Sequence, residues 1–326
     1  MAKEKPTFVH KFDVGEAIGT PWSLPGGRNF LARIILWGTG IILVVYALFG
    51  KKFISSYADF IIMASELERA GNQADPTAAM EMMSGAWALM GSVFLIALLA
   101  WVVMITIETA MHKNLFYGTD HGVFPLRFGK DELRVLLAQL VIFIIGTVVY
   151  LAGLFLLSLL VVGIVASAQS SGGLAAVMGI AVFFGFIAYL AFLIIMMIRW
   201  APAASMSVRD NKQRLFEGWG ITKGRSWPLF GTYLVTFLIG YIGIYAIMII
   251  GGVIAFGNMD FLSLFMSTSD DPAAIMAEMG EAIKTPRVMV PLVIFTILYA
   301  LATVLWYVHV WGIGAYMTKL DAKETG

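Results

Sequence analysis

The stretch "VLLAQLVIFIIGTVVYLAGLFLLSLLVVGIVA", residues 135–166, runs for 32 residues without a single charged side chain. A helix of about 20 apolar residues already crosses the hydrocarbon core of a bilayer. Backbone polar groups inside lipid need partners within their own segment, which favours a helix over an isolated strand. This stretch therefore predicts a transmembrane helix and makes lipid the solvent of the fold.

The composition of the whole chain agrees with a membrane protein. Hydrophobic residues make up 60% of the sequence and charged residues 13%, and the mean hydropathy is +0.85. Soluble domains are about half apolar and about a quarter charged. The chain contains no cysteine, which excludes disulfides, iron–sulfur clusters and thiolate metal sites.

Reading outward from 135–166, five more windows are long and apolar enough to span a membrane. We predict an all-α, polytopic bundle forming a single domain over residues 1–326. The predicted spans are 31–50, 86–107, 135–166, 174–198, 229–256 and 288–316. Residues 1–30 carry several charges and no apolar core, so we expect a cytoplasmic interfacial segment rather than a cleavable signal peptide.

The distribution of basic residues predicts the orientation. The N-terminal segment together with Arg33 at the start of the first span, the second and fourth loops and the C-terminal tail hold 17 of the 22 Lys and Arg residues. Cytoplasmic segments are enriched in Lys and Arg. Both termini are therefore expected in the cytoplasm, and the spans pair into three hairpins.

Weak internal similarity supports the hairpins. "QLVIFIIG" (139–146) and "YLVTFLIG" (233–240) share five of eight residues. Asp75-Pro76 and Asp271-Pro272, in the first and last outer loops, each fit an N-cap followed by proline at the first helical position. We expect short outer helices there, and an interfacial amphipathic helix over residues 53–64.

Three ionisable residues lie near the predicted cytoplasmic ends of the even spans: Glu108, Arg199 and His309. Ionisable residues at membrane depth are functional candidates by default. If the hairpins pack together, these three could form a polar cluster that binds a ligand or relays a proton. The alternative is structural: Glu108 and Arg199 mark the interface and pair with each other, while His309 donates to a carbonyl group.

Motifs for catalysis or metal binding are weak. Glu108, His112, Asp120 and His121 lie close in sequence, but their spacing matches no established metal signature. There is no Gly-x-Ser-x-Gly and no His-Glu-x-x-His. "GWGITKG" (218–224) lacks the spacing of a phosphate-binding loop. We predict a protein that is not an enzyme and needs no metal or cofactor.

The loop from Arg199 to Gly231 is the most polar and most punctuated stretch of the chain. Tryptophan and basic residues suit the headgroup layer, where anionic lipids attract Lys and Arg. Amphipathic segments 8–28, 112–132 and 205–227 are expected to lie there. The predicted headgroup contacts are Lys212, Trp219, Lys223, Arg225 and Trp227.

The same loop carries a resemblance to known proteins. A span ending in Ala-Pro at Pro202 is followed by a short helix and then by Trp219-x-x-Thr-Lys-Gly-x-x-Trp-x-Leu-x-Gly, ending at Gly231. This pattern resembles six-helix bacterial inner-membrane proteins, among them the membrane domain beside some glycerophosphodiester phosphodiesterases and the YciC-type proteins. The resemblance implies a bacterial inner-membrane protein concerned with the envelope or with lipids, and the phosphodiesterase activity of the neighbouring soluble domain is not carried over to these residues.

These observations leave two hypotheses about function. The first is a membrane scaffold or accessory factor that contacts lipid headgroups, anionic ones included, or a partner protein or a second copy of itself. The second is a transporter of a small molecule or a lipid, with the polar cluster in its path. Nucleic acid is not an expected partner, because topology already accounts for the basic loops.

Overall fold

A computed structural model describes residues 11–70, 76–168, 172–256 and 285–325 of the chain. Within these ranges the backbone forms helices joined by turns, and none of it is β-strand. Six helices are long and apolar enough to cross a membrane. The predicted all-α membrane bundle is confirmed.

Each predicted span lies inside one long helix. Two short elements, α1 (Val14–Gly19) and a 3-10 helix over Thr20–Ser23, precede the first span, and α6 (Ala203–Arg209) and α7 (Gly218–Ile221) lie between the fourth and fifth spans. The helices are α1 Val14–Gly19, α2 Gly27–Ala70, α3 Pro76–Tyr117, α4 Lys130–Ala168, α5 Gly172–Trp200, α6 Ala203–Arg209, α7 Gly218–Ile221, α8 Ser226–Phe256 and α9 Pro286–Thr325.

The first hairpin is much longer than a membrane crossing. Helices α2 and α3 contain 44 and 42 residues, which corresponds to about 65 Å each at 1.5 Å per residue. Residues 53–64 continue α2 without a break, so the separate interfacial helix predicted there is wrong. No proline interrupts α2, and Met63 in its C-terminal half lies against Gly85 of α3.

Helix α3 begins at Pro76, which confirms the predicted helix start, but it runs unbroken into the second span, so the separate short helix predicted there is wrong. Proline suits the first helical position because the N–H it lacks would have no partner inside the helix. Asp75, and the second pair at Asp271 and Pro272, lie outside the described residues.

The long helices pack as three hairpins. Helix α2 makes its largest contact with α3, α8 with α9, and α4 with α5. These are the pairs expected from the loop charges. Contacts between hairpins run mainly through α9, which also packs on α1, α2, α3 and α6.

Burial is concentrated at one end of the bundle. Apart from Val288, the buried hydrophobic residues of the described chain fall within 17–45, 104–138, 196–229 and 300–320. These ranges hold the start of each odd span and the end of each even span, and we call this end the base. Toward the far end, α4, α5 and α8 present most of their side chains outward, as lipid-facing helices do.

Helix α6 lies inside the base and not at its surface. Six of its seven residues, Ala203 to Val208, are buried, and the helix packs between α3, α4 and α9. The expectation that 205–227 lies at headgroup level is therefore wrong for α6. Its residues are small enough for close packing, and the Ser205 hydroxyl lies 2.6 Å from that of Thr318 on α9.

Candidate functional site

A cavity of about 650 Å³ opens between α2, α3, α4, α5 and α9. Its wall is apolar and aromatic, with a few hydrogen-bonding groups, which is the usual character of a small-molecule or lipid site. The lining residues are Ile42, Tyr46, Ala97, Ala100, Trp101, Met104, Gln139, Ile142, Phe143, Met197, Ala300, Thr303, Tyr307 and Trp311.

A short hydrogen-bonded chain lies at the cavity wall. The Trp101 indole N–H donates to Gln139 Oε1 at 2.6 Å, and the Gln139 amide nitrogen donates to Glu108 Oε2. Trp101 and Glu108 are seven residues apart on α3, so they lie on one face of that helix. These hydrogen bonds therefore connect the cavity to the Glu108 carboxyl group, which is buried and only 3% exposed.

The three residues of the predicted polar cluster have separate partners. Glu108 is bonded to Gln139, while Arg199 and His309 bond to other groups. No hydrogen bond or ion pair among the described residues joins any two of the three. The structural alternative, an ion pair between Glu108 and Arg199, is likewise not formed.

Arg199 closes the fourth span onto the loop that follows it. Its guanidinium donates to the Trp219 carbonyl oxygen at 2.9 Å and lies 5.6 Å from the centre of the Trp219 ring. The Trp200 ring stands 6.4 Å from that of Trp219. Arg199 thus positions Trp219 through a hydrogen bond and a cation–π contact.

His309 holds the N-terminal segment on α9. The Trp22 indole donates to His309 Nε2 at 3.0 Å, so Nε2 is an acceptor and the ring proton resides on Nδ1. That nitrogen lies 2.8 Å from the Leu305 carbonyl oxygen, which accepts the proton as in the structural alternative. His309 also borders a crevice of about 310 Å³ between α8 and α9.

The five predicted headgroup residues divide into two groups. Lys212, Lys223, Trp219 and Trp227 are exposed, and Trp227 is 82% exposed. Arg225 is 4% exposed and its guanidinium pairs with Glu324 near the end of α9. The prediction that Arg225 contacts headgroups is therefore wrong, because its charge is used inside the base.

The Thr-Lys-Gly sequence forms the turn that ends α7. The buried Thr222 hydroxyl donates to the Gly218 carbonyl oxygen at 2.7 Å. Gly224 has φ of +80°, a conformation that glycine adopts without the steric cost of a side chain. The turn directs Arg225 inward and leaves Lys223 exposed, so a packing role accounts for the motif.

An ion-pair network ties α6 to α9. Arg209 contacts Asp321 at 2.8 Å and Asp210 at 2.6 Å, and Asp210 also accepts from Arg214 at 3.0 Å. The hydrogen bond from Arg209 holds the pKa of Asp210 below its usual value, with Arg214 lowering it further. Arg214 likewise lowers the pKa of Glu217. These charges stabilise the base.

The four residues weighed as a metal site are not gathered. Asp120 pairs with Arg33 on α2, and that hydrogen bond lowers its pKa. His112 is 1% exposed, with its ring centroid 6.4 Å from that of Phe116. Within the described ranges, no three His, Asp or Glu side chains are grouped so that they could hold a metal ion.

Sequence reasoning did not identify Trp101 and Gln139 as site residues. A signal for Gln139 existed, since it is the one amide side chain in the uncharged run 135–166. Polar side chains within a span usually seek partners on neighbouring helices. Trp101 gave no comparable signal, because aromatic residues are frequent throughout the spans.

Comparisons with protein-family models, with curated proteins and with solved structures give no match for this chain. The resemblance to YciC-type proteins and to the membrane domain beside phosphodiesterases is therefore a hypothesis that rests on residues 202–231.

Proposed function

We propose that this chain is a non-enzymatic accessory protein of the bacterial inner membrane that holds a membrane lipid in the cavity between its hairpins. Both termini and the base face the cytoplasm in this proposal. The observation that carries it is the apolar cavity of about 650 Å³ at the meeting point of five helices. Its few polar groups would orient a bound molecule, and its apolar wall suits acyl chains.

The surface of the base supports contact with lipid headgroups. Lys212 and Lys223 are exposed on the segments that join α6, α7 and α8, and Trp227 is exposed in the first turn of α8. Each basic residue near an anionic membrane surface contributes about 1 kcal/mol of attraction. A lipid in the cavity and anionic lipids around the base would together make this protein responsive to membrane composition.

Transport of a lipid is the second candidate, and one feature favours it. The cavity is open between the helices, whereas α6 packs beneath it with Ala204 and Val208 against Ile105 and Val135. A transporter in one conformation would have such an arrangement, with one side open and the other closed. Displacement of α6 would be needed to release a ligand toward the base.

Filling the cavity tests lipid retention. Ala100 lines the cavity, so Ala100→Phe is expected to occupy the space that acyl chains would use. We expect native mass spectrometry of the gently extracted protein to detect retained lipid in the unmodified chain and at least tenfold less in Ala100→Phe. The proposal is wrong if both proteins retain the same lipid to the same extent.

The matched control is Ala188→Phe. Ala188 lies on α5, is exposed and does not line the cavity, so the same change there faces bulk lipid. Its retained lipid should equal that of the unmodified chain. Loss of lipid in both variants would point to a general effect of the added ring and would contradict the assignment of the site.

A further inference from the structure

We infer that the cavity selects an amphipathic ligand whose polar end is an ammonium group. Its chain would extend along the apolar wall, and its cation would lie among the aromatic rings near Glu108. This inference rests on the proposed lipid-holding function and adds the chemical class of the ligand. The shared chemistry is an alkylated or primary ammonium, carried either by an aminophospholipid or by a single-chain amine.

Aromatic side chains from four different helices border the cavity. Tyr46 comes from α2, Trp101 from α3, Phe143 from α4, and Tyr307 with Trp311 from α9. The rings of Tyr307 and Trp311 lie 5.6 Å apart between centroids. Rings that surround a site attract ammonium groups through their electron-rich faces, and aromatic cages bind quaternary ammonium in this way.

The cavity wall contains no charged side chain and is hydrogen-bonded to one carboxyl group. None of the described lining residues is Lys, Arg or His. The Glu108 carboxyl lies behind this lining and is joined to it through Gln139. Electrostatics therefore disfavours an anionic headgroup and favours a cation at this wall.

The Glu108 carboxyl lacks a cationic partner. Its hydrogen-bond donor is the neutral Gln139 amide, and no ion pair involves Glu108 in the part of the chain that the structure describes. An ionised carboxylate taken out of water is costly unless a positive charge compensates it. An ammonium bound at the wall beside Gln139 supplies that charge. The affinity for the ligand is therefore coupled to the protonation state of Glu108.

The rest of the wall suits an alkyl chain. Ala97, Ala100 and Met104 form a stripe on α3 above Glu108, at spacings of three and four residues. The small side chains leave room for methylene groups beside the helix. A ligand that lies along this stripe would place its polar end near Gln139 and its chain toward the far end of the bundle.

The test uses photoreactive probes with one alkyl chain and three headgroups: trimethylammonium, sulfate and neutral maltoside. The full-length protein in lipid nanodiscs is labelled, and peptides that contain residues 97–104 are quantified. We expect the trimethylammonium probe to label this segment at least tenfold more than the sulfate probe. Excess unlabelled dodecyltrimethylammonium should reduce labelling by the trimethylammonium probe. If the natural ligand is an aminophospholipid, nanodiscs rich in phosphatidylethanolamine should also reduce this labelling, relative to nanodiscs rich in phosphatidylglycerol.

Two variants examine the cation preference. Glu108→Gln keeps the shape of the side chain and removes its charge, so the trimethylammonium preference over the neutral probe should fall at least fivefold. Tyr307→Leu removes one ring and leaves Glu108 in place, and should lower the same preference about threefold. Glu81→Gln is the matched control, since Glu81 is exposed on the outer part of α3, and it should leave the preference unchanged.

The outcomes separate the two proposals. If all three probes label the segment equally and Ala100→Phe abolishes this labelling, the ammonium selectivity is overturned and the lipid cavity stands. Labelling that Ala100→Phe does not reduce for any probe would overturn the lipid cavity itself. Preference for the sulfate probe, or a preference unchanged in both Glu108→Gln and Tyr307→Leu, would also reject the ammonium class.

Discussion

Arg225 and Glu132 are charged residues buried in the base, and each has an oppositely charged partner. Arg225 pairs with Glu324, and Glu132 accepts from Lys113 at 3.1 Å. Each pair joins two helices or a helix and a turn. Their contribution is to fix how α3 meets α4 and how the turn before α8 meets α9, since an unpaired charge at these positions would be costly.

Replacing Arg225 with Ala should destabilise the protein. The change leaves the partly buried Glu324 carboxylate without its cation, and loss of one partner of a buried pair costs about 3 kcal/mol or more. Thermal unfolding in detergent should place Arg225→Ala well below the unmodified chain, with Lys223→Ala nearly unchanged because Lys223 is exposed.

A double-variant cycle serves as the control for this pair. If Arg225 acts through Glu324, Arg225→Ala combined with Glu324→Gln should cost less than the sum of the single changes. Equal losses in Arg225→Ala and Lys223→Ala would contradict the pairing.

The sequence could not separate Arg225 from Lys223. Both are basic residues in the same loop, and the rule for membrane topology treats them alike. The partner of Arg225 is 99 residues away in the chain. Its burial therefore depends on a long-range contact that no local pattern encodes.

At the scale of elements, the long helices were predictable because hydrophobicity along a span is a local property. Each apolar window became one helix, from α2 to α9. The lengths of α2 and α3 were underestimated, since the end of α2 and the start of α3 are less apolar and still helical. Helix α6 was misplaced because the surroundings of a seven-residue helix are set by its neighbours and not by its own pattern.

Gly224 provides a test of the turn between α7 and α8. Its φ of +80° disfavours any side chain, so Gly224→Ala should lower stability by about 1 kcal/mol or more. Gly220→Ala is the matched control. Gly220 lies within α7, and a Cβ there would meet no atom within 4 Å.

The expected result is a lower unfolding temperature for Gly224→Ala alone. Alanine favours a helix relative to glycine, so Gly220→Ala should be neutral or slightly stabilising. A Gly224→Ala protein as stable as the unmodified chain would show that the turn does not require a left-handed residue.

At the scale of the whole molecule, packing is tight at the base and open toward the far end. The three hairpins converge through α9 and α6, and the cavity lies where five helices meet. The distribution of charges among the loops predicted the hairpins but could not predict the cavity. Its walls come from residues spread between Ile42 and Trp311, which only the tertiary arrangement brings together.

The proposed orientation can be tested with single cysteines, since the natural chain has none. Lys52 lies on α2 away from the base, and Lys212 lies in the base; both are exposed. If the base is cytoplasmic, a membrane-impermeant maleimide should label Lys52→Cys in cells whose outer membrane is permeabilised and whose inner membrane is intact. Lys212→Cys should react only after the inner membrane is opened.

Labelling of Lys212→Cys in intact cells, with Lys52→Cys protected, would reverse the orientation. The unmodified chain is the matched control, because without cysteine it should give no signal under either condition. Such a reversed orientation would also place the cavity opening in the opposite leaflet.

The most direct test of the central claim is a density map of the unmodified protein in lipid nanodiscs. We predict elongated density for an acyl chain within the cavity, between Trp101 on α3 and Tyr307 on α9, and its absence in the Ala100→Phe protein. A map in which the cavity is closed by protein side chains, or is open and contains no lipid density, would contradict the claim that this chain holds a lipid.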